Sequence, residues 1–471
     1  MSKIDLKAGW SPSKSAQAAQ NYLKNKHNLL SGFESIDDFA VNETALDPKD
    51  KRGIEHHLIN LRATLARHLW RKEIFVGVSI LDMLLFEAVR DNMADYGLEV
   101  LERLGKASLS AGFIIFPLHS IGIAQPSIFQ PKKNVRFVLF KKAGFAVVAQ
   151  GNDYDVTIDA ISAAMKGLGI KSALDLDMWR HHLQAGNLRW FTRNPLLLVK
   201  VTAVTGAYYE NQFVYMLKLR LINAMLMMLA SFNAVGSKTK DLRTTSRINN
   251  WQTLDIHHYL LGEAFKPAKP RARVRIDVRR VPMNLNPVDL AHLSDVPITI
   301  DPGALNQAQN KKRLAEIMKT IDAVESGFRE HVTLGRNKPT LNTRVYRKLV
   351  LSLDWYRRSF SAMARDSEAV VALAVAFETL LSDFYTQGVT AKIIARVGVC
   401  LTGNSGAGKY QSAVESLFDK RGKTMHLGGF DGTPDLLLAR RAYALCLVKI
   451  VSLLPLTVKT TNEPVKALLG V

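Results

Sequence analysis

The hydrophobic pattern of this chain changes character several times. Ile54, Leu58, Leu61, Leu65 and Leu69 recur at spacings of three and four, which predicts a helix ending near Trp70. Ile74 to Leu104 predicts one or two more helices, closing near Gly105. The period then shortens. Phe113 to Phe116 predicts a strand, and Val135 to Phe140 with Phe145 to Ala149 predicts a hairpin joined through Lys141-Lys142-Ala143-Gly144. Val156 to Lys166 predicts a helix closed by Gly167, and Leu196 to Val204 is β-like. Phe213 to Phe232 is apolar on most sides, so it predicts a buried helix. Asp301 to Phe328 predicts a helix with Pro302 in its first turn.

From Thr343 the pattern is helical throughout. Tyr346, Leu349, Leu353, Tyr356, Phe360 and Met363 form one apolar stripe over a helix of about Thr343–Met363. A second helix starts after Asp366, with Val370, Leu373, Ala374, Phe377, Leu380, Leu381 and Phe384 on its buried face. A third covers about Thr390–Leu401, and a fourth starts near Tyr410. A fifth is predicted over Pro434–Leu454, capped by Thr433. The fold class expected is therefore α+β and predominantly helical: a mixed α/β N-terminal region followed by a C-terminal up-and-down helical bundle. The expected partition is a flexible polar arm over 1–50, an α+β sensing or substrate-selecting region over 51–330, a linker over 331–342, and the bundle over 343–471.

Charge narrows the partner. The chain of 471 residues has a formal charge of +21. Residues 1–50 carry 6 Lys and Arg against 7 Asp and Glu, 51–339 carry 40 against 25, and 340–471 carry 17 against 10. The excess lies in the expected folded regions, where it favours polyanions, nucleic acid above all. Arg271, Arg273, Arg275 and Arg279 alternate with Val274, Ile276 and Val278, so a strand here carries a row of guanidinium groups that suits a phosphate backbone. The same pattern also describes an edge strand protected by charge. Two cysteines, Cys400 and Cys446, form no disulfide framework or metal knuckle, and the expected home is the cytoplasm. Met1 to Leu30 lacks the apolar core of a secretory signal. The uncharged run Ala107 to Pro131 is broken by Pro117, His119 and Pro126, so no membrane association is expected.

The fourth C-terminal helix carries the candidate chemistry. Its stripe is Tyr410, Val414, Leu417 and then Arg421, so an arginine falls where an apolar residue belongs and is expected to face a groove or interface. His426 follows, and Leu427-Gly428-Gly429 stops the helix. A histidine titrates near neutral pH, and a guanidinium offers a planar fork to phosphate oxygens. The plainer alternative is a histidine that satisfies carbonyls at a helix end.

Three stretches carry a family resemblance: Leu351-Ser-Leu-Asp-Trp-Tyr-Arg357, Ala374-Val-Ala-Phe-Glu-Thr-Leu-Leu-Ser-Asp383 and Asp419-Lys-Arg-Gly-Lys-Thr-Met-His-Leu-Gly428. Together they resemble the Apea-like branch of the HEPN superfamily over about a quarter of the chain. The likeness does not extend to residues 1–330. Arg52 with His57 and Arg62 with His68 repeat the Arg–His spacing but lack the bundle around them. The family often has a polar side chain directly after the arginine, where this chain has Gly422. That glycine is read either as a bend that brings Arg421 and His426 together or as a sign of weakened catalysis.

The resemblance implies a metal-independent endoribonuclease acting as a toxin or phage-defence effector, as in abortive infection, on RNA such as tRNA. It implies a homodimer through the bundle and no cofactor. His426 would be the general acid or base and Arg421 the stabiliser of phosphate charge. Glu378 is the candidate for orienting either one, or else a plain surface carboxylate. Lys420 and Lys423, with the four arginines of 271–279, are the candidate RNA contacts. A non-catalytic RNA- or protein-binding module is the alternative.

Two other motifs point elsewhere. Gly403-Asn-Ser-Gly-Ala-Gly-Lys-Tyr410 nearly matches a phosphate-binding loop, but Tyr410 replaces the magnesium-binding hydroxyl. A nucleotide hydrolase built on that loop is a third reading. The doublets His56-His57, His181-His182 and His257-His258 lack the spacing of a helical zinc pair, so no metal is expected.

Overall fold

The computed structural model describes the chain apart from residues 1–4, 43–45, 73, 75, 107, 110–111, 125–134, 171–175, 202–208, 233–257, 267–274, 284, 335–339, 361–365, 384–388, 430–431, 433–434 and 455–462. The described residues are mostly helical with one antiparallel sheet.

The first unit is all helix. It comprises α1 (Lys14–Leu30), α2 (Ile36–Val41), α3 (Pro48–Arg71), α4 (Val78–Arg90) and α5 (Tyr96–Lys106), which share a core of their own. The flexible arm expected over 1–50 is corrected here. Ser13 caps α1 by accepting the Ala16 N–H, and Ala16, Ala19, Leu23 and Leu30 are buried against α3. Small alanines replace large apolar residues where the helices pack, so the stripe reads as polar.

The sheet follows. Its strands are β1 (Ser108–Leu109), β2 (Gly112–Pro117), β4 (Phe137–Phe140), β5 (Phe145–Val148), β6 (Leu196–Val201), β7 (His258–Lys266) and β8 (Arg275–Pro282), while β3 (Gly122–Ile123) pairs in parallel with β9 (Thr299–Ile300) outside it. The path runs β1-β7-β2-β6-β5-β4, and β8 pairs with β7 along the outer side. All pairs in this sheet are antiparallel. The predicted hairpin is β4–β5, turned at Gly144, whose φ of +71° is the left-handed conformation glycine adopts at no steric cost. Strands β2 and β6 are buried almost continuously because both sheet faces are covered.

On one face Phe113, Ile115, Ala146, Val148 and Leu198 meet α6 (Tyr154–Gly167), α7 (Leu176–Ala185) and the short α8 (Trp190–Arg193). On the other, Ile114, Phe116, Val147, Leu197 and Val199 meet α9 (Tyr209–Ser231), the predicted apolar helix. Residues Leu217 to Leu229 of α9 are largely buried because the sheet lies on one side and helices lie on the other.

That same core runs on without interruption. It takes in α10 (Pro287–Ser294), α11 (Pro302–Asn306), α12 (Ala308–Phe328), α13 (Leu341–Arg358), α14 (Asp366–Leu381), α15 (Val389–Leu401), α16 (Ala407–Leu427), α17 (Leu436–Leu453) and α18 (Pro464–Leu469). The single helix expected over 301–328 is two, α11 and α12. The fifth bundle helix begins later than expected and is capped by Asp435, which accepts the Leu438 N–H. A linker between independent domains at 331–342 does not describe this packing. Helix α12 packs on α9, α13 and α17, and Gly327 sits so close to Tyr346 that a Cβ there would meet its ring at 2.0 Å. The bundle and the sheet are thus layers of one core, while α1–α5 keep a second.

Candidate active site

Helices α14 and α16 pack side by side and set the geometry. Phe377 on α14 is fully buried, edge-on to Tyr443 of α17 at 5.5 Å and 6.5 Å from Phe418 of α16. Tyr443 is itself stacked on Tyr356 and hydrogen-bonded to Ser352 of α13 at 2.5 Å. This aromatic layer fixes the register of α14 against α16. The next residue on α14 is Glu378, and its Oε1 lies 3.3 Å from Nη2 of Arg421 on α16.

Both partners are half-buried, at 24% and 35% exposure for the two side chains. Arg421 is thus partly buried against α14 and paired with its carboxylate. Its Nε is buried with no hydrogen-bond partner among the described residues. A buried guanidinium nitrogen that donates to nothing is a cost unless another group completes it.

His426 lies five residues on, in the last turn of α16, exposed and with no hydrogen bond among the described residues. Gly428, at φ +77°, ends the helix as expected. Helix α16 runs unbroken through Gly422, so the bend that glycine was expected to allow is absent. At 3.6 residues per turn, a five-residue step leaves the two side chains about 140° apart around the axis. Within one chain, Arg421 and His426 therefore leave α16 on different sides. The residues on either side of His426 in the chain, Met425 and Leu427, are apolar and 61% and 78% exposed.

The other candidates are scattered. Lys423 is paired with Asp419 one turn back at 2.8 Å, and Lys420 lies 3.4 Å from the Gly432 carbonyl. Arg271 and Arg273 fall outside the described residues. Arg275 and Arg279 belong to β8, the outer strand, opposite Phe265 and Leu261 in register. They lie on a different element from α16 and belong to the sheet, not the bundle.

The glycine-rich segment before α16 is a turn between two helices. Gly403 and Gly406 have φ of +81° and +84°, and α15, not a strand, precedes them. A phosphate-binding loop needs the strand-to-helix setting that this segment lacks. Among the described residues, no group of three or more His, Cys, Asp or Glu side chains could hold a metal, and no helix is long and apolar enough to cross a membrane.

A Ser-His-Asp cluster escaped the sequence reading. Ser120 Oγ lies 2.6 Å and Asp295 Oδ1 3.7 Å from the same ring nitrogen, Nδ1 of the buried His119. A nucleophile relay needs serine and aspartate on opposite ring nitrogens, so this cluster is not one. It instead sits where β3 and β9 join, with His119 and Asp295 forming a β-bridge. No family model, curated protein or solved structure matches the chain.

Proposed function

We propose that the C-terminal helices form a HEPN-type, metal-independent endoribonuclease in which Arg421 and His426 act on RNA. The observation that carries this reading is the half-buried Glu378–Arg421 pair near the C-terminal end of α16. An arginine held by a carboxylate is pre-oriented, and its unsatisfied Nε–H still has a hydrogen bond to give. The exposed imidazole of His426 is open to exchange a proton with the ribose 2′-OH or the leaving 5′-oxygen.

In this reading the 2′-OH attacks the adjacent phosphorus and the 5′-oxygen leaves, giving a 2′,3′-cyclic phosphate and a 5′-OH. Arg421 stabilises the charge that builds on the phosphoryl oxygens. DNA has no 2′-OH and is not cut. Because the two side chains diverge on one helix, the site is completed by a second copy. Met425 and Leu427 supply an apolar surface for that homodimer beside His426. The role proposed is cytoplasmic: a toxin or phage-defence effector that arrests growth by cutting RNA, tRNA included.

The divergence also favours a second reading, a non-catalytic module that binds RNA or protein through the same face. The test is cleavage of a mixed tRNA and mRNA pool in EDTA by wild type and His426→Ala. The expected result is cleavage with cyclic-phosphate ends, lowered by about 10² to 10⁴ in the variant. Intact RNA with both proteins, alongside retained RNA binding, selects the binding module.

A further inference from the structure

Helix α13 buries one side and leaves the other open. At about 100° per residue, Arg344, Arg347, Leu351, Trp355 and Arg358 fall within a band about 80° wide. The band lies opposite Leu349, Leu353 and Tyr356, which are buried. Arg344, Arg347 and Leu351 are exposed, and Trp355 and Arg358 are half-buried. Three arginines thus share one stripe with two apolar side chains.

The stripe keeps a positive balance. Asp354, at its edge, is turned to Arg357 at 3.4 Å and to Arg220 of α9 at 3.6 Å. Asp289 of α10 pairs with Arg358 at 3.1 Å and holds that guanidinium 4.8 Å from the centre of the Trp355 ring. Arg347 makes no ion pair or hydrogen bond among the described residues. Leu351, 50% exposed, and the Trp355 ring add apolar area between the cations.

Two hydrogen bonds fix where the stripe runs. Lys348 Nζ donates to the Ser382 carbonyl of α14, and Ser352 Oγ donates to the Ala376 carbonyl at 2.9 Å. Glu378 lies between those two points along α14. Arg347 and Leu351, the chain neighbours of Lys348 and Ser352, are therefore level with it. The stripe passes the Glu378–Arg421 pair at that height.

We propose that the outer face of α13 is a track for single-stranded RNA, with Arg344 and Arg347 on phosphates and Leu351, Trp355 and Arg358 against bases. The inference rests on RNA as the ligand in the reading above, but not on its cleavage. Cations spaced along a stripe match a repeating phosphate backbone better than the scattered carboxylates of a folded protein. An indole and a guanidinium plane among them suit unpaired bases, since every base has a face to stack.

The test is fluorescence anisotropy of a labelled 2′-O-methyl RNA of about 12 nucleotides, titrated with the full chain over a range of salt concentrations. This strand has no 2′-OH to attack, so binding is measured apart from cleavage. The expected Kd is about 1–100 μM. Arg347→Glu is expected to weaken binding by about tenfold and to lower the slope of log affinity on log salt by about one. Arg347→Lys keeps most of the affinity, because the charge remains. Trp355→Leu weakens binding by about fivefold or more, with thermal unfolding as the check on its fold. Lys24→Glu makes the same charge change on α1, in the separate N-terminal core, and is expected to shift affinity by less than about twofold. The proposal is overturned by unchanged affinity and salt slope in Arg347→Glu, by an equal loss in Lys24→Glu, or by no binding at about 200 μM, which would leave the stripe to an acidic protein. Cleavage of natural RNA alongside unaltered binding in the α13 variants would sink the track and spare the nuclease reading. Binding lost in those variants, with no cleavage by wild type, would do the reverse.

Discussion

The bundle and the outer face of the sheet treat their arginines in opposite ways. In the bundle, Arg396 is buried and every nitrogen is used: Nη2 on Asp383 at 2.7 Å, Nη1 on the Leu381 carbonyl at 2.6 Å and Nε on the Val471 carbonyl at 2.8 Å. Arg421 is half-buried and only partly used, by Glu378. At the sheet, Arg189 lines a cavity of about 520 Å³ between the β5–α6 and α8 segments, and no carboxylate pairs with it among the described residues. The series runs from a cation whose hydrogen-bonding demand is met within the chain to one whose demand is left to solvent or a ligand. A satisfied buried pair holds structure, whereas an unsatisfied donor marks where another molecule fits.

The fully satisfied end of that series gives the largest expected effect on stability. Asp383 Oδ2 holds Arg396, and its Oδ1 accepts the Val465 N–H at 2.9 Å at the start of α18. Asp383→Ala strands a buried guanidinium and removes that cap, so unfolding free energy is expected to fall by about 3–5 kcal/mol. Urea unfolding measures the loss, and hydrogen exchange places it first in α18. A loss below about 1 kcal/mol would make this pair no different from a surface ion pair.

Lys348 provides the next contrast, a bundle cation whose burial is only partly compensated. It donates to the Ser382 carbonyl, and burial lowers its pKa from the usual 10.5 to about 8. Between these values the unfolded chain holds a proton that the folded chain has released. Stability therefore rises with pH across that window, by about 2 kcal/mol once screening is allowed for. Lys348→Met is expected to flatten the rise between pH 7.5 and 10. An identical pH dependence in the variant would show that Lys348 keeps its charge in the fold.

How much of this was legible in the sequence follows from the range of the forces involved. The apolar run of α9, the β4–β5 turn at Gly144 and the stop at Gly428 are local signals, and each was readable. Arg421 stood out because it interrupts an apolar stripe on its own helix. Helix α1 was missed because alanines bury without raising the apolar signal. The cavity lined by Asn152, Arg189 and Arg193 had no signal at all, since its two walls come together through the β5–β6 pairing and the Asn152–Thr192 hydrogen bond. The pairing of Glu378 with Arg421 was available only as a candidate, because the layer of Phe377, Phe418 and Tyr443 that sets its register comes from three helices.

Glu378→Gln tests the middle of the series, with the smallest expected effect. The substitution keeps the shape of the side chain and removes its charge. If Glu378 orients Arg421, the guanidinium loses its anchor and kcat for RNA cleavage falls by about tenfold. KM stays level or falls, because one negative charge near the phosphate has gone. The split between kcat and KM matters, since a merely structural carboxylate would lower stability and leave kcat per folded molecule unchanged. A rise in kcat would reverse the assignment: Glu378 would then restrain Arg421 by competing with phosphate for it. Under the binding-module reading the same variant binds RNA more tightly and cuts nothing. In each case the outcome depends on whether a half-satisfied arginine is held ready by its carboxylate or held back by it.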